Sequence, residues 1–422
     1  MPRVASDTRL PAEKAVLVLV HEDADLDLYA EEELTSLIEA AGAVPVGTLH
    51  QRVDRTRTAT YIGKGKVQEV LSALVDTGAD VAIFDCELSG VQHRNLETEL
   101  SKRIVDRTQL ILDIFAQRAH TREGQLQVEL AQYSYLMPRI TAAYTQFERQ
   151  KGGIGMRGPG ETKLEADRRR IRDRIAHLTK EIDDVRQIRH RQRVARRKNP
   201  FPFASLVGYT SAGKSTIMNR LSGSEVFVDP MLFATLDPTT RKLALPSGYS
   251  VFLTDTVGFV RNLPHNLVAA FRATLEEVSE SDFLLHIVDV SHPSWEIQAE
   301  SVMETLAELG AGEKPTLTIY NKIDRLTDPT VLRELVANTP NSVAISATSG
   351  EGVDELLESI TKMIRSLLRP VDVIIPYDKS GLVQECYDFG RVLSVEHKED
   401  GIHIKAEIVA EMADRLLANM KR

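Results

Sequence analysis

Short apolar runs rich in β-branched residues punctuate the first quarter of the chain, at 15–20, 44–49, 81–84 and 104–105. Each predicts a buried strand. Helical patterns lie between them: an acidic stretch through Ala40 that Gly42 stops, then 67–76 and 89–102. Strands alternating with helices predict a parallel sheet with crossover connections, a small α/β domain over 1–107. The pattern then becomes helical from 108 to about 150, with Leu110, Ile111, Ile114 and Phe115 in one stripe. Gly124 is expected to interrupt this helix and Pro138 to kink or end it. Thr162 and Glu165 spell a capping box, expected to open a second helix. Leu164, Ile171, Ile175, Leu178, Ile182 and Val185 follow at heptad-like spacing. The two helices are expected to pair as an antiparallel hairpin over 108–198, with a glycine-rich loop at its tip.

Asn199 and two prolines, Pro200 and Pro202, mark a linker. An apolar run at 203–207 then breaks into Gly208-Tyr209-Thr210-Ser211-Ala212-Gly213-Lys214-Ser215-Thr216, with a helix expected from Ser215. Further strands are expected at 251–255, 316–320 and 343–346, completing a domain over 199–367. Over 368–422, strand patterns at 371–375, 392–397 and 402–408 join helical ones at 381–389 and from Ala410, a small α+β domain without a catalytic constellation. The predicted architecture is α/β: a P-loop domain preceded by a small α/β domain with a long helical hairpin and followed by a small α+β domain.

Composition changes this picture in one place. The chain has 422 residues, 42% hydrophobic and 27% charged, ordinary for packed soluble domains. No apolar run reaches the roughly 18 residues that span a bilayer. Its two cysteines, Cys86 and Cys386, lie far apart, which suits a reducing compartment. The expectation is a monomeric, cytoplasmic protein with no stable membrane insertion. Net charge is −9, yet 168–198 carries 13 Lys/Arg against 4 Asp/Glu, a local +9, leaving −18 for the remainder. A basic segment in an acidic chain is the footprint of a polyanion partner, here RNA. Interleaved aromatics are lacking, so single-strand base stacking is not supported.

The strand–glycine loop–helix at 203–216 is the setting of a phosphate-binding P-loop. Its backbone N–H groups would cradle phosphate oxygens, Lys214 would reach the terminal phosphates as a catalytic group, and Ser215 would hold Mg²⁺. Asp255-Thr256-Val257-Gly258 ends a strand as D-x-x-G, with Asp255 toward Mg²⁺ and the Gly258 N–H toward the γ-phosphate. Asn321-Lys322-Ile323-Asp324 ends another. The Asp324 carboxylate can accept paired bonds from guanine N1 and N2, which adenine does not offer. Asn321 would reach N7, the Lys322 stem would lie on the base, and Ser346, Ala347 and Thr348 would meet guanine O6. Phe233-Ala234-Thr235-Leu236-Asp237 reads as a switch along the nucleotide. Thr235 is the expected catalytic and Mg²⁺ ligand, with Thr239 and Thr240 in reserve. These motifs, in this order at strand ends, predict a GTPase using GTP/GDP and Mg²⁺. Phe259 follows Gly258, where Ras-like GTPases place a water-orienting glutamine. Slow intrinsic hydrolysis, accelerated by a partner, is the consequence.

Two other clusters are weaker. Residues 153–158 contain G-x-G-x-x-G (Gly153, Gly155, Gly158), but a dinucleotide loop needs a preceding strand, and helical sequence precedes this one. Bare backbone flanked by Arg149, Lys151 and Arg157 suits approach to a nucleic-acid backbone, or a hinge. Asp85, Cys86, Glu87, His93 and the pair Gly63 and Gly65 lie near strand ends without nucleophile–base or metal spacing, so packing is the expected role.

The chain resembles a bacterial HflX-family GTPase over nearly its whole length. The resemblance rests on 152–161 (GGIGMRGPGE), 208–215 (GYTSAGKS), 232–241 (LFATLDPTTR) and 255–259 (DTVGF). It implies binding to the large ribosomal subunit and its RNA, with the glycine loop and arginine-rich helix near the peptidyl-transferase region. It also implies dissociation of stalled ribosomes, with hydrolysis releasing the factor. A ribosome-assembly GTPase, or an RNA-binding scaffold with nucleotide as a structural ligand, are the alternatives.

Overall fold

Two largely parallel sheets organise the protein, one in each of two compact units. The structure, a computed structural model, describes residues 12–21, 28–53, 59–150, 159–196, 201–223, 232–233, 237–261, 277–326, 329–388, 390–409, 413–414 and 416–417. One unit comprises 1–182, 231–233 and 263–271; the other comprises 183–230, 234–262 and 272–422.

The first unit holds β1 (Lys14–His21), β2 (Val44–Arg52), β3 (Val81–Phe84) and β4 (Arg103–Asp106), all parallel in the order β2-β1-β3-β4. Parallel strands are covered on both faces, and the unbroken apolar runs at β1 and β3 follow from that. The connections run through α1 (Leu28–Ala40), α2 (Lys64–Thr77) and α3 (Gly90–Leu100). Helix α2 begins three residues before its expected start at Val67.

The carboxyl ends of β3 and β4 are closed by buried ion pairs. Arg107, the first residue of α4 (Arg107–Arg118), donates to Asp85 and Glu33. Burial opposes its charge, and those two carboxylates outweigh it and raise the pKa. Asp106 caps α4 by accepting from Gln109 N at 2.8 Å, and accepts from Arg139 Nη2 at 2.7 Å. Burial, then Asp85 and Asp106, push the Cys86 thiol up, which makes it a poor nucleophile. His93 Nε2 lies 2.9 Å from Ile104 O. These contacts pack and charge-balance this edge of the unit.

The long helical region divides differently from expectation. The break falls at 119–121, between α4 and α5 (Arg122–Gln150). Gly124 lies in the first turn of α5, where Thr121 Oγ1 accepts its N–H, so it interrupts nothing. Pro138 sits inside α5 and does not end it. Arg139, beside it, lies over the Tyr135 ring and donates to Tyr135 O, Leu88 O and Asp106. The bonds to Leu88 O and Asp106 tie the helix to the sheet edge just after the proline, and the bond to Tyr135 O spans the proline within the helix. Helix α6 (Pro159–Arg196) opens at Pro159, a favoured first helical residue, so the Thr162 capping box is interior. Leu126 packs with Leu178 and Ile182. Arg174 forks onto Glu129, and Arg122 pairs with Glu181. An early α5 residue thus meets a later α6 residue, the antiparallel hairpin expected. The tip loop, with Lys151 and Arg157, lies outside the described residues.

In the second unit β5 (Phe203–Gly208), β6 (Thr239–Ala244), β7 (Ser250–Asp255), β8 (Phe283–Asp289), β9 (Thr316–Asn321) and β10 (Ser342–Ala344) form a sheet ordered β10-β9-β8-β5-β7-β6. All are parallel except the edge strand β6. Its helices include α7 (Lys214–Ser222), α8 (Trp295–Glu308), α9 (Pro329–Asn338) and α10 (Val353–Leu367). At Leu368 the chain passes from α10 into β11 (Leu368–Ile375), followed by α11 (Gly381–Asp388), β12 (Gly390–Lys398) and β13 (Gly401–Val409). This antiparallel sheet is ordered β11-β13-β12. Most of the helix expected from Ala410 lies outside the described residues. Among the described residues, no helix is long and apolar enough to cross a membrane.

Replacing Arg107 by alanine leaves two half-buried carboxylates without their shared partner, at a cost of about 3 kcal/mol. Amide exchange in β1 and β3 is expected to accelerate by at least about a hundredfold. Unchanged exchange would mean that the ion pairs do not hold this sheet edge.

Candidate nucleotide site

The second unit's sheet reverses its building direction around β5: β7 and β6 lie on one side, β8, β9 and β10 on the other. A parallel sheet opens a crevice at such a point, outside the carboxyl ends of its strands. The segments after β5, β7, β9 and β10 bring the predicted motifs there.

The loop after β5 is possible only with glycine at its ends. Gly208 has φ 156°, and a Cβ there would stand 2.3 Å from Ile287 O. Gly213 has φ 101°, and its Cβ would stand 2.3 Å from Asn321 Nδ2. Between them Tyr209, Thr210, Ser211 and Ala212 form a turn, with Ala212 N–H donating to Tyr209 O. Lys214, Ser215 and Thr216 begin α7, one residue earlier than expected. Lys214 is buried and its Nζ donates to Gly208 O (3.0 Å) and Tyr209 O (2.8 Å). Burial lowers its pKa to about 8 against the opposing pull of Asp255. Ser215 Oγ donates to Asp255 Oδ2 at 2.7 Å. This hydroxyl–carboxylate pair is the oxygen set that a hard cation prefers. Thr256 Oγ1 turns back to Leu206 O, and Val257, Gly258 and Phe259 pack beside the loop.

Asn321, buried at the end of β9, has both ends of its amide engaged. Nδ2 donates to Ala212 O at 2.8 Å, and Oδ1 accepts from Ala347 N at 3.1 Å. Asn321 thereby braces the P-loop against the loop after β10. Lys322 has φ 65° and its Nζ meets Asp289 Oδ2 at 2.5 Å. Its ammonium is thereby held at the end of β8. Ile323 and Asp324 form one turn of 3₁₀ helix, and Asp324 is exposed. Ser346 Oγ accepts from Ser349 N, shaping the turn that carries Ala347 and Thr348.

Ala234, Thr235 and Leu236 lie outside the described residues. Phe233 is buried edge-on against Phe115 of α4, centroids 4.6 Å apart. Asp237 is half-buried. Of the two reserve threonines, Thr240 is engaged with Thr254 Oγ1 at 3.0 Å across β6 and β7. Sequence reading missed β8 and with it Asp289, which holds Lys322, and His286. The latter is buried, its pKa lowered to about 4 by burial and then by Lys214. The signal available was an apolar run, 283–288, interrupted by one histidine. Among the described residues, no cluster of three or more His, Cys, Asp or Glu side chains could hold a metal. A cation here would be shared between protein oxygens and phosphate, as the Ser215–Asp255 pair allows.

Comparison with known proteins finds similarity along most of the chain. Four family models match in succession: "GTP-binding GTPase N-terminal" (29–116), "GTP-binding GTPase Middle Region" (118–196), "50S ribosome-binding GTPase" (203–322) and "HflX C-terminal domain" (331–422). The chain is 45% identical to GTPase HflX of Caldanaerobacter subterraneus, over 96% of this chain and 93% of that one. It is 42% identical to GTPase HflX of Escherichia coli, over 92% of each. A crystal structure of an SsGBP–GDP complex aligns with 84% of this chain and 99% of its own at 25% identity, TM-score 0.49.

The pKa of Lys214 gives a pH signature. A polyphosphate favours the charged lysine and so raises its pKa; above about pH 8 binding must then take up a proton. GDP affinity is expected to be flat from pH 6.5 to 7.5 and to fall up to tenfold per unit above 8. Titration calorimetry in buffers of different ionisation enthalpy should show that proton uptake. A pH-independent affinity to pH 9.5 would contradict it.

Proposed function

The chain belongs to the HflX family of GTPases, and on that premise we propose that it binds the large ribosomal subunit in its GTP form, dissociates stalled ribosomes and leaves upon hydrolysis. That it binds guanine nucleotide and hydrolyses GTP follows from the family and the P-loop domain. Mg²⁺ dependence is part of the proposal and rests on the Ser215–Asp255 pair. When bound, the cation would neutralise phosphate charge between these oxygens.

The residues divide the work simply. Lys214 and the loop amides hold the phosphates, Gly258 reports the terminal one, and Asp324 selects guanine. Phe259 is buried and cannot hydrogen-bond a water. Rapid turnover therefore requires a group supplied by the partner, which keeps hydrolysis coupled to the ribosome.

One observation carries the ribosome reading: Arg169, Arg170, Arg172 and Lys180 are exposed on α6, within the +9 segment of an acidic chain. Arg174 is engaged with Glu129 and serves the hairpin instead. The exposed set presents guanidinium groups to phosphates without base-specific geometry.

Co-sedimentation with large ribosomal subunits tests this. Binding is expected with a non-hydrolysable GTP analogue and to be much weaker with GDP. Replacing Arg169, Arg170 and Arg172 by glutamine should reduce the salt dependence by about two to three in log–log slope. Equal binding in both nucleotides, or an unaltered slope, would refute the reading. Binding confined to precursor subunits would assign the protein to assembly.

A further inference from the structure

Beyond the end of the β5–β7 ladder, the P-loop and the segment after Asp255 are joined again. The ladder closes at Leu206 and Asp255, and parallel pairing resumes as an isolated bridge between Tyr209 and Phe259. Thr210 N–H donates to Phe259 O at 2.8 Å, and Phe259 N–H donates to Gly208 O at 3.2 Å. One more bond extends the pairing: Arg261 N–H donates to the phenol oxygen of Tyr209 at 2.8 Å. Tyr209, Phe259 and Val260 are 6%, 3% and 1% exposed, so water competes weakly for these bonds.

The pairing determines where Gly258 stands. A methyl carbon on Gly258 would lie 2.9 Å from Thr210 Cα and 3.1 Å from Lys214 Nζ. The D-x-x-G glycine is thus in van der Waals contact with the P-loop, beside the lysine that serves the terminal phosphates. Lys214 Nζ is itself turned onto Gly208 O and Tyr209 O. The backbone that would meet a third phosphate is therefore held by this pairing, and a nucleotide one phosphate shorter would place no group there.

We propose that Tyr209 is a positioning residue for GTP turnover, its phenol oxygen latching Arg261 and holding the Gly258–Arg261 segment zipped onto the P-loop against the third phosphate. The P-loop needs only backbone at this position, so packing alone would be met by phenylalanine. The hydroxyl at the far end of the ring is what reaches the segment after Gly258. Opening the latch admits the γ-phosphate and frees the Gly258 N–H to meet it. Anything that draws Arg261 away, a docked partner included, then raises GTP affinity over GDP. The proposal rests on the guanine-nucleotide reading and adds a preference between its two ligands.

Tyr209→Phe removes the phenol oxygen and keeps the ring. In the full chain, affinities for GDP and for a non-hydrolysable GTP analogue are measured by titration, with hydrogen exchange at Arg261. The analogue-to-GDP affinity ratio is expected to rise about three- to tenfold, the worth of one buried hydrogen bond, and the Arg261 amide to exchange faster. An unchanged ratio, or equal losses for both nucleotides, would overturn the latch and leave Tyr209 a packing residue. Unchanged Arg261 exchange would overturn it as well. Failure of the wild-type chain to bind either nucleotide would instead overturn the guanine-nucleotide reading on which the latch rests.

Discussion

One buried carboxamide makes a site out of loops that are far apart in the chain. Asn321 joins Ala212 in the P-loop to Ala347 after β10, and its Nδ2 stands where any side chain on Gly213 would have to be. The glycine is thus required on two grounds, its φ of 101° and the approach of Asn321. Burial makes the arrangement unforgiving, because a carbonyl and an N–H would both lose their partners if the amide were absent. The P-loop and the turn after β10 are therefore positioned by the same side chain.

The two parallel sheets treat their carboxyl edges in opposite ways. In the first unit, Arg107 and Arg139 fill the edge and neutralise Asp85, Glu33 and Asp106. The positive charge there is already matched, which suits a packing unit better than an anion site. In the second unit, the edge carries glycine loops and a buried lysine, with a pKa near 8 that records the cost of holding an ammonium there. The same topological position is a structural joint in one unit and a polyanion site in the other. Side-chain charge, not fold, decides between them.

Much of this was legible in the sequence because the elements announce themselves. The apolar runs of β1, β3, β5, β7 and β9 are short and bounded by glycine or charge, and the nucleotide motifs follow them at strand ends. Strand β8 escaped because His286 breaks its run, and β6 because its edge position exposes alternate residues. Pro138 misled because Arg139 ties α5 to the sheet edge beside the proline. The Thr162 capping box misled because Pro159 starts the helix earlier. Asn321 was recognised as a site residue, but its bracing partners are 109 and 26 residues away. No local pattern encodes such pairings. The same holds for Tyr209, whose phenol meets Arg261 only in the folded chain.

The central claim is that one site, assembled by Asn321, holds guanine nucleotide at both its phosphate and base ends. GDP titration of Asn321→Ala, alongside its circular dichroism and thermal melt, tests this most directly. The account predicts a loss of about a hundredfold in affinity with the secondary structure retained, since two buried partners are left unpaired. Wild-type affinity in that variant would contradict it and leave the loops to be positioned independently.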